Sequence, residues 1–419
     1  MKVIVIGGGI GGLCLANGLQ KAGIDVQVFE RQSNSVENLA GYGIHIDRNG
    51  RNALRNCLSL SDWTNIQNLF TTTGTRLFFR DTKFGLLALR DDAELSGRHA
   101  CEVERSGIGR IELRDALLAG LDNQSCPIVH WNKAFRSYTH LKDGRVRVYF
   151  TDDSWQDGDL VVGADGSHSE IRRQYLPNIQ RLDLGILAIA GRTMVTDELA
   201  NSLPPEMTNG SLNNIVPYGK GWMFVSAWKS KPSACHSLKP DHYVLWAYVL
   251  PKTDAPADIN EFTGADLSNI VLDAIDQWAP ELRTLVRQTD LPSVKCIKIH
   301  SMPDLTPWKP SNITVMGDSI HNMTPMAGVG ANTALRDAEV LTRVLIDAYS
   351  GRISLIEAVS IYEQEMRAYA NDAVTMSRKN AKSACNGGSF QRVFLRGLLC
   401  AAHASPLIMR ATFGRSLLK

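Results

Sequence analysis

Runs of apolar residues alternate along the chain with helical patterns, and together they predict an α/β fold. Residues 3–6 are consecutive β-branched apolar residues, which is typical of a strand buried on both faces of a parallel sheet. Apolar positions then recur at helical spacing from Ile10 to Leu19, and Gly23 suits the end of that helix. A second apolar strand over 26–29 follows, so the chain opens with a strand–helix–strand unit.

The turn between the first strand and the first helix is rich in glycine. Gly7, Gly9 and Gly12 have the G-x-G-x-x-G spacing, which permits a tight turn, close backbone approach to a pyrophosphate and close helix packing. Glu30 ends the second strand, 18 residues after Gly12, near the position from which a carboxylate binds an adenosine ribose. An acid there disfavours a ribose 2′-phosphate. The pattern predicts dinucleotide binding and leaves both NAD and FAD open.

Two later segments repeat the combination of an apolar strand and a tight turn. A buried strand over 159–163 runs into Asp165, and a short apolar strand over 313–316 runs into Asp318. A glycine-containing loop then precedes a helical pattern that begins at Ala331. Each segment alone is also consistent with an ordinary structural connection, so its weight comes from the presence of the other two.

The region 181–284 has the alternation expected of an antiparallel sheet, in segments 186–194, 221–228 and 242–250. Arg192 is either an anchor for an anionic substrate or an exposed strand residue. The aromatic residues of this region either face a planar substrate or fill the core of the sheet. They are Tyr218, Trp222, Phe224, Trp228, Tyr243, Trp246 and Tyr248.

Composition excludes several classes of protein. The 419 residues include 45 Lys plus Arg and 43 Asp plus Glu, a balance that gives no reason to expect nucleic-acid binding. The eight cysteines form neither a C-x-x-C pair nor a metal-ligand spacing, so we expect reduced thiols, no metal site and a cytoplasmic location. No apolar run is long enough to predict a membrane span, and the apolar start suits a strand better than a signal peptide.

Together these motifs resemble those of the single-component FAD-dependent monooxygenases of the para-hydroxybenzoate hydroxylase family, in the fungal and bacterial branch that acts on aromatic compounds and natural products. Arg110, Leu113 and Leu117 have the spacing of the R-x-x-L-x-x-x-L segment of that family. The segment 43–49 resembles the family loop beside the flavin ring.

The resemblance implies an α/β fold: a Rossmann-like FAD-binding domain, an antiparallel β-sheet substrate domain and a C-terminal helical segment. It implies an FAD-binding domain over 1–70, 100–180 and 285–350, and a substrate-binding domain over 71–99 and 181–284. The helical region is 351–419.

The resemblance also implies a set of cofactor-binding residues. Glu30 binds the adenosine ribose, Arg110 and Asp318 bind the ribityl or pyrophosphate part, and Asp165 serves both FAD and NAD(P)H. The flavin ring is lined by Pro325, Gly328, Gly330, Ala331 and Asn332. The full set is Gly7, Gly9, Gly12, Glu30, Arg31, Gly43, Arg110, Asp165, Asp318, Pro325, Gly328, Gly330, Ala331 and Asn332.

The activity that the resemblance implies is hydroxylation of an aromatic or polyketide-like small molecule with NAD(P)H and O2, through a flavin C4a-hydroperoxide. FAD is expected to be bound non-covalently and NAD(P)H to bind transiently. No catalytic residue is assigned. The alternatives are a flavin-dependent epoxidase, a Baeyer–Villiger or tetracycline-inactivating oxygenase, and a non-catalytic FAD-binding protein.

Overall fold

The computed structural model describes residues 1–34, 43–99, 105–121, 127–229, 242–385 and 388–414. The chain forms two compact units, each built from several stretches of sequence. The first unit comprises Met1–Phe70, Ile108–Leu182 and His300–Arg378. The second comprises Thr71–Gly107, Asp183–Ile299 and Lys379–Lys419.

Strands and helices alternate along most of the described residues. The strands are β1 (Lys2–Ile6), β2 (Asp25–Phe29), β3 (Gly43–Ile46), β4 (Thr71–Thr72), β5 (Arg76–Arg80), β6 (Leu86–Asp91), β7 (Ser106–Gly109), β8 (Val129–His130), β9 (Phe135–His140), β10 (Val146–Phe150), β11 (Trp155–Gly158), β12 (Leu160–Gly163), β13 (Leu182–Met194), β14 (Leu212–Ile215), β15 (Trp222–Lys229), β16 (His242–Pro251), β17 (Lys295–Ser301) and β18 (Ile313–Val315). The helices are α1 (Ile10–Lys21), α2 (Arg48–Cys57), α3 (Leu60–Leu69), α4 (Asp92–Ser96), α5 (Arg110–Ala119), α6 (Glu170–Tyr175), α7 (Asp197–Ser202), α8 (Gly264–Ala274), α9 (Pro280–Arg287), α10 (Asp318–His321), α11 (Gly330–Tyr349), α12 (Leu355–Cys385), α13 (Ser389–Ala404) and α14 (Pro406–Phe413). Short 3-10 helices cover Pro205–Met207, Lys252–Asp254, Ile259–Glu261, Leu291–Ser293 and Pro325–Ala327.

A five-stranded parallel sheet forms the centre of the first unit, in the order β18-β12-β1-β2-β8. Strand β1 lies in the middle, which explains its unbroken apolar sequence: Val3, Ile4 and Val5 are fully buried. Helices α1 and α11 pack against each other. Their residues Leu13 and Leu335 belong to the same hydrophobic core as the strand. The unit also contains the antiparallel sheet β9–β11.

A seven-stranded sheet forms the second unit, in the order β17-β13-β16-β15-β14-β5-β6. Strands β13, β16, β15 and β14 pair antiparallel, as the alternating sequence predicts, whereas β14 and β5 pair parallel. One face of this sheet forms a core with residues of α8 and α9. A second apolar cluster joins β5 and β6 to α13 and α14.

The structure therefore has the predicted α/β architecture, with a parallel sheet in one unit and a largely antiparallel sheet in the other. The helical region 351–419 of the sequence does not form a unit of its own. The boundary between the two units falls after Arg378, within helix α12, so the helices of this region contribute to both.

Candidate functional site

The three turns singled out in the sequence lie at one edge of the parallel sheet. Strands β1, β12 and β18 are adjacent and parallel, with Ile6 opposite Gly163 and Gly163 opposite Val315. The Ala164 amide donates to the Ile6 carbonyl at 2.8 Å, and the Met316 amide donates to the Gly163 carbonyl at 2.9 Å. The chain thus leaves all three strands at the carboxyl edge of the sheet, where open α/β sheets bind their ligands.

Glycine is present at the three positions of the first turn for different structural reasons. Gly7 has φ +114°, and a Cβ there would lie 2.3 Å from the Ala164 carbonyl oxygen. A Cβ at Gly12 would lie 2.3 Å from the Gly7 carbonyl oxygen. At Gly9 a Cβ would meet no atom of the described residues within 4 Å. Gly7 and Gly12 are therefore required by packing, whereas Gly9 leaves its backbone accessible.

Gly9 is also the N-cap of α1, and among the residues that the structure describes no side chain caps this helix. The first amide groups of α1 thus lack side-chain acceptors and carry the positive end of the helix dipole. An open glycine followed by such a helix start suits a pyrophosphate.

Glu30 lies buried at the end of β2, beside this turn. Its Oε2 accepts a 2.6 Å hydrogen bond from the Gly8 amide, and its Oε1 accepts a 3.0 Å hydrogen bond from the Gln32 amide. An ionised carboxylate has about four acceptor positions. Glu30 can therefore hold the turn and still accept hydrogen bonds from ribose hydroxyl groups.

Arg114 is a second buried group at this turn, and the sequence reasoning missed it. Its Nε donates to the Gly8 carbonyl at 2.8 Å, and its Cζ lies 5.5 Å from the centre of the Trp131 ring. Burial lowers the pKa of Arg114, and the charge of Glu30 opposes this shift. The sequence signal that could have indicated Arg114 as a site residue is its position one helical turn after Arg110. Arg110 itself is the first residue of α5 and is exposed.

The second and third turns are held together by Ser319. Its hydroxyl donates to Asp165 Oδ1 at 3.1 Å and accepts from the Gly166 amide at 2.9 Å. Arg172 Nη1 donates to the Ser319 carbonyl at 2.6 Å. Asp165 Oδ2 accepts a 2.8 Å hydrogen bond from the Glu170 amide. Asp165 thus organises the junction of the two turns, and its contact with a cofactor stays a prediction.

Asp318 is the first residue of α10 and is exposed at the same edge. The residue before it, Gly317, has φ +60° and ψ −146°, a backbone conformation that favours glycine. Arg31 is exposed directly after Glu30, and Gly43 begins β3. All of these residues belong to the first unit.

The segment from Pro325 to Asn332 consists of a short 3-10 helix and the start of α11. Gly328 ends its short 3-10 helix with φ +65°, and no side chain in the described part of the chain caps α11. Asn332 is buried: its Nδ2 donates to the His45 carbonyl at 2.9 Å, and its Oδ1 accepts from the Asp47 amide at 3.0 Å. The Asn332 side chain therefore fastens α11 to the segment that begins at Gly43, and the amides of Gly330 and Ala331 lie at the uncapped helix start.

Trp246 and Tyr248 in the second unit lie in the core of the sheet. The Trp246 Nε1 donates to Thr289 Oγ1 at 2.7 Å. Arg192 Nε lies 3.2 Å from Asp290 Oδ2, so this arginine forms an ion pair within the protein. Among the residues that the structure describes, no group of three or more His, Cys, Asp or Glu side chains could hold a metal ion.

The edge of the first unit fits FAD by its own geometry. An accessible glycine backbone and a helix start without a side-chain cap suit a pyrophosphate, a buried carboxylate suits a ribose, and exposed Arg110 and Asp318 offer charged contacts. Residues 1–377 match the family described as FAD binding domain. The chain belongs to this FAD-binding family. The family, the fold class and the cofactor predicted from the sequence are thereby confirmed.

Relatives of the chain include proteins named as FAD-dependent monooxygenases. The dual O-methyltransferase/FAD-dependent monooxygenase CTB3 of Cercospora beticola is 28% identical over 408 residues, which cover 91% of this chain and 46% of the relative. The chain thus spans about half the length of that relative. The FAD-dependent urate hydroxylase of Klebsiella pneumoniae is 28% identical over 389 residues, covering 90% of this chain and 89% of the relative.

Solved structures share the fold. A protein of Photorhabdus luminescens subsp. laumondii TTO1, assigned as an FAD containing monooxygenase, has 40% sequence identity and a TM-score of 0.83, covering 92% of this chain and 98% of its own. Klebsiella pneumoniae HpxO complexed with FAD and uric acid has 24% identity and a TM-score of 0.78, covering 100% and 97%. Its likeness concerns the fold alone. No helix in the described ranges has the length and apolar character needed to cross a bilayer.

Proposed function

We propose that the chain is an FAD-dependent monooxygenase that uses NAD(P)H and O2 to hydroxylate an aromatic or polyketide-like small molecule, in the cytoplasm. The observation that carries the proposal is the meeting of three glycine-containing turns at one sheet edge in a member of the FAD-binding family. The urate hydroxylase among the relatives supports hydroxylation of a planar small molecule.

The first unit supplies the cofactor-binding groups. When bound, FAD supplies the transfer of electrons from NAD(P)H and the activation of O2. The backbone at Gly9 and the start of α1 would hold the pyrophosphate, and Glu30 would accept hydrogen bonds from the ribose. Arg110 and Asp318 would bind the ribityl or pyrophosphate part. These contacts are all non-covalent.

The start of α11 would bind the ring end of the cofactor. Its uncapped amides, including those of Gly330 and Ala331, can stabilise negative charge, by about 0.3–2 kcal/mol for a helix terminus. Asn332 would act on this site through the backbone that its side chain fixes. Asp165 would contribute mainly by holding its turn against Ser319. The sequence contains no second G-x-G-x-x-G motif, which supports transient binding of NAD(P)H.

The second unit offers a sheet face for the substrate. Val225 and Trp246 belong to the core shared with α8 and α9. Because side chains alternate along a strand, the residues next to them face the other way. These are Phe224 and its cross-strand partner Ala247, with Ala190 paired to Ala247 from β13. We propose that this aromatic and small-residue face binds the planar substrate.

The test begins with the flavin content of the purified full-length chain. We expect yellow protein with stoichiometric FAD that acid or heat releases, since the binding is non-covalent. NADH and NADPH oxidation is then followed with phenols, aromatic polyketides and urate, and oxygenated product is measured separately from hydrogen peroxide. A substrate should accelerate NAD(P)H oxidation, and each product molecule should contain one added oxygen atom.

The outcomes separate the alternatives. An epoxide in place of a hydroxylated product would favour an epoxidase, and a ring-expanded lactone would favour a Baeyer–Villiger oxygenase. Loss of the antibiotic activity of tetracycline after incubation with the protein would favour a tetracycline-inactivating oxygenase. Protein that binds FAD but is not reduced by NAD(P)H with any compound would favour the non-catalytic reading. Phe224→Ala should raise KM for the substrate without changing FAD content. Unchanged kinetics in this variant would contradict the proposed substrate face.

A further inference from the structure

A buried cluster of three side chains lies next to the Gly317–Asp318 turn. Asp337 of α11 and His321 of α10 are fully buried, and Tyr369 of α12 is half-buried. The His321 Nε2 lies 2.6 Å from Asp337 Oδ2, and the Tyr369 hydroxyl donates to Asp337 Oδ1 at 2.5 Å. One carboxylate thus connects three helices of the first unit.

The same carboxylate holds the turn itself. The Gly317 amide donates to Asp337 Oδ2 at 2.7 Å. Gly317 is buried and has a positive φ, so its amide needs an internal partner and its conformation needs support. Asp318, which follows directly, is exposed at the cofactor edge. The backbone directly before Asp318 is therefore held by the buried side chain of Asp337.

The surroundings of His321 favour its protonated form. Burial lowers the pKa of His321, but the charge and hydrogen bond of Asp337, with a contribution from Asp318, outweigh it, so the pKa is raised overall. The Arg336 guanidinium lies 4.1 Å from the centre of the Tyr369 ring. Asp337 is the shared partner of the Gly317 amide, His321 Nε2 and the Tyr369 hydroxyl, so loss of the carboxylate would leave these groups without it in a buried site.

We propose that Asp337, held by His321 and Tyr369, is a positioning residue for the riboflavin half of the FAD site: it fixes the turn that presents Asp318 to the cofactor. It acts through the Gly317 amide and does not touch FAD. The adenosine half has its own support, from Gly8, Glu30 and Arg114. The inference rests on FAD binding at this edge, and it predicts that the two halves of the cofactor respond differently to changes at Asp337.

The test compares FAD with ADP, which lacks the riboflavin half. Asp337→Asn keeps the side-chain volume but replaces one acceptor oxygen with an NH2 group, which cannot accept a hydrogen bond from the donor that it faces. Apoprotein is titrated with FAD by flavin fluorescence and with ADP by calorimetry. We expect the Kd for FAD to rise about tenfold and the Kd for ADP to change less than about twofold. Tyr369→Phe, which removes one donor only, should raise the Kd for FAD about threefold.

Glu363→Gln is the matched control, because Glu363 is a buried carboxylate of the same helix as Tyr369 and bonds Thr314 instead of the turn. It should leave both Kd values unchanged. Equal weakening of FAD and ADP in the Asp337 variant, or unchanged FAD affinity, would overturn the proposal. If Asp337→Asn does not fold, Tyr369→Phe decides alone by the same FAD-to-ADP comparison. Wild-type apoprotein that binds no FAD would instead contradict the flavin assignment.

Discussion

Glu30 Oε2 lies 2.6 Å from the Gly8 amide nitrogen, so the carboxylate that suits an adenosine ribose also holds the glycine turn that we propose binds the pyrophosphate. Arg114 Nε donates a hydrogen bond to the carbonyl of the same residue, Gly8. The peptide groups of the turn are thus fixed by two buried side chains of opposite charge. A pre-formed turn reduces the ordering that binding would otherwise require.

The first prediction concerns Glu30 itself. In Glu30→Gln the side chain keeps one oxygen acceptor, but its amide group faces one of the two backbone donors, from Gly8 and Gln32. Hydrogen bonds to charged groups contribute about 1.5–3 kcal/mol, so FAD affinity should fall about 10- to 100-fold. Titration of apoprotein with FAD and with ADP measures this, and here both affinities should fall together. A loss confined to FAD would place the ribose contact elsewhere.

The second prediction separates two glycines of the same turn. Gly12→Ala puts a Cβ 2.3 Å from the Gly7 carbonyl oxygen, and overpacking of this kind costs about 1–3 kcal/mol of the free energy of unfolding. Gly9→Ala meets no atom within 4 Å and has an ordinary φ of −80°, so its apoprotein should keep its stability. It should nevertheless bind FAD poorly, because the methyl group occupies the open side of the turn.

Thermal unfolding of both apoproteins and FAD titration of both variants provide the measurements. The expected pattern is a destabilised Gly12 variant and a stable Gly9 variant that lacks flavin. Full flavin content in the Gly9 variant would show that the cofactor does not approach the backbone there.

The third prediction concerns Arg114. Arg114→Ala removes the donor to the Gly8 carbonyl and the positive charge that interacts with Glu30, so the free energy of unfolding should fall by about 1–3 kcal/mol. Arg173→Ala serves as the control, since Arg173 forms an exposed ion pair with Glu170 and such pairs contribute about 0–1 kcal/mol. Denaturant unfolding of the two variants should differ clearly, and similar midpoints would show that Arg114 does not support the turn.

The position of the candidate site could be predicted from the sequence because its signals are local. Gly7, Asp165 and Asp318 each lie within three residues of the end of an apolar strand, and the carboxyl ends of parallel strands meet at one edge. The antiparallel sheet of the second unit followed from alternation in the same way.

The side-chain contacts that complete the site are not local and could not be predicted. Asn332 bonds the carbonyl of His45 across 287 residues, and no spacing in the sequence records that pairing. The ambiguity at Trp246 had a similar origin, since alternation does not tell which face of a sheet a helix covers. Burial of Arg114 was unexpected because arginine is usually exposed, and its partner is a backbone carbonyl.

The fourth prediction concerns the pH dependence of stability. Glu363 of α12 is 1% exposed, and its Oε1 accepts a 2.9 Å hydrogen bond from Thr314. Burial raises the pKa of Glu363 to about 7, although Thr314 and Arg367 act in the opposite direction. A carboxyl group whose pKa is raised on folding binds its proton more tightly in the folded chain. Its contribution to stability is therefore complete below about pH 4.5 and is lost as the pH rises through 7.

Glu363→Gln mimics the protonated group and cannot ionise, so it should remove this pH dependence. Between pH 5 and 8, the free energy of unfolding of the wild type should fall relative to the variant by about 3 kcal/mol, since one pKa unit corresponds to about 1.4 kcal/mol. Denaturant unfolding of the full chain at several pH values measures the difference. Glu365→Gln, at an exposed carboxylate paired with Arg343, should show no such trend. Parallel pH curves for the wild type and the Glu363 variant would mean that Glu363 ionises as an ordinary surface carboxylate does, despite its burial.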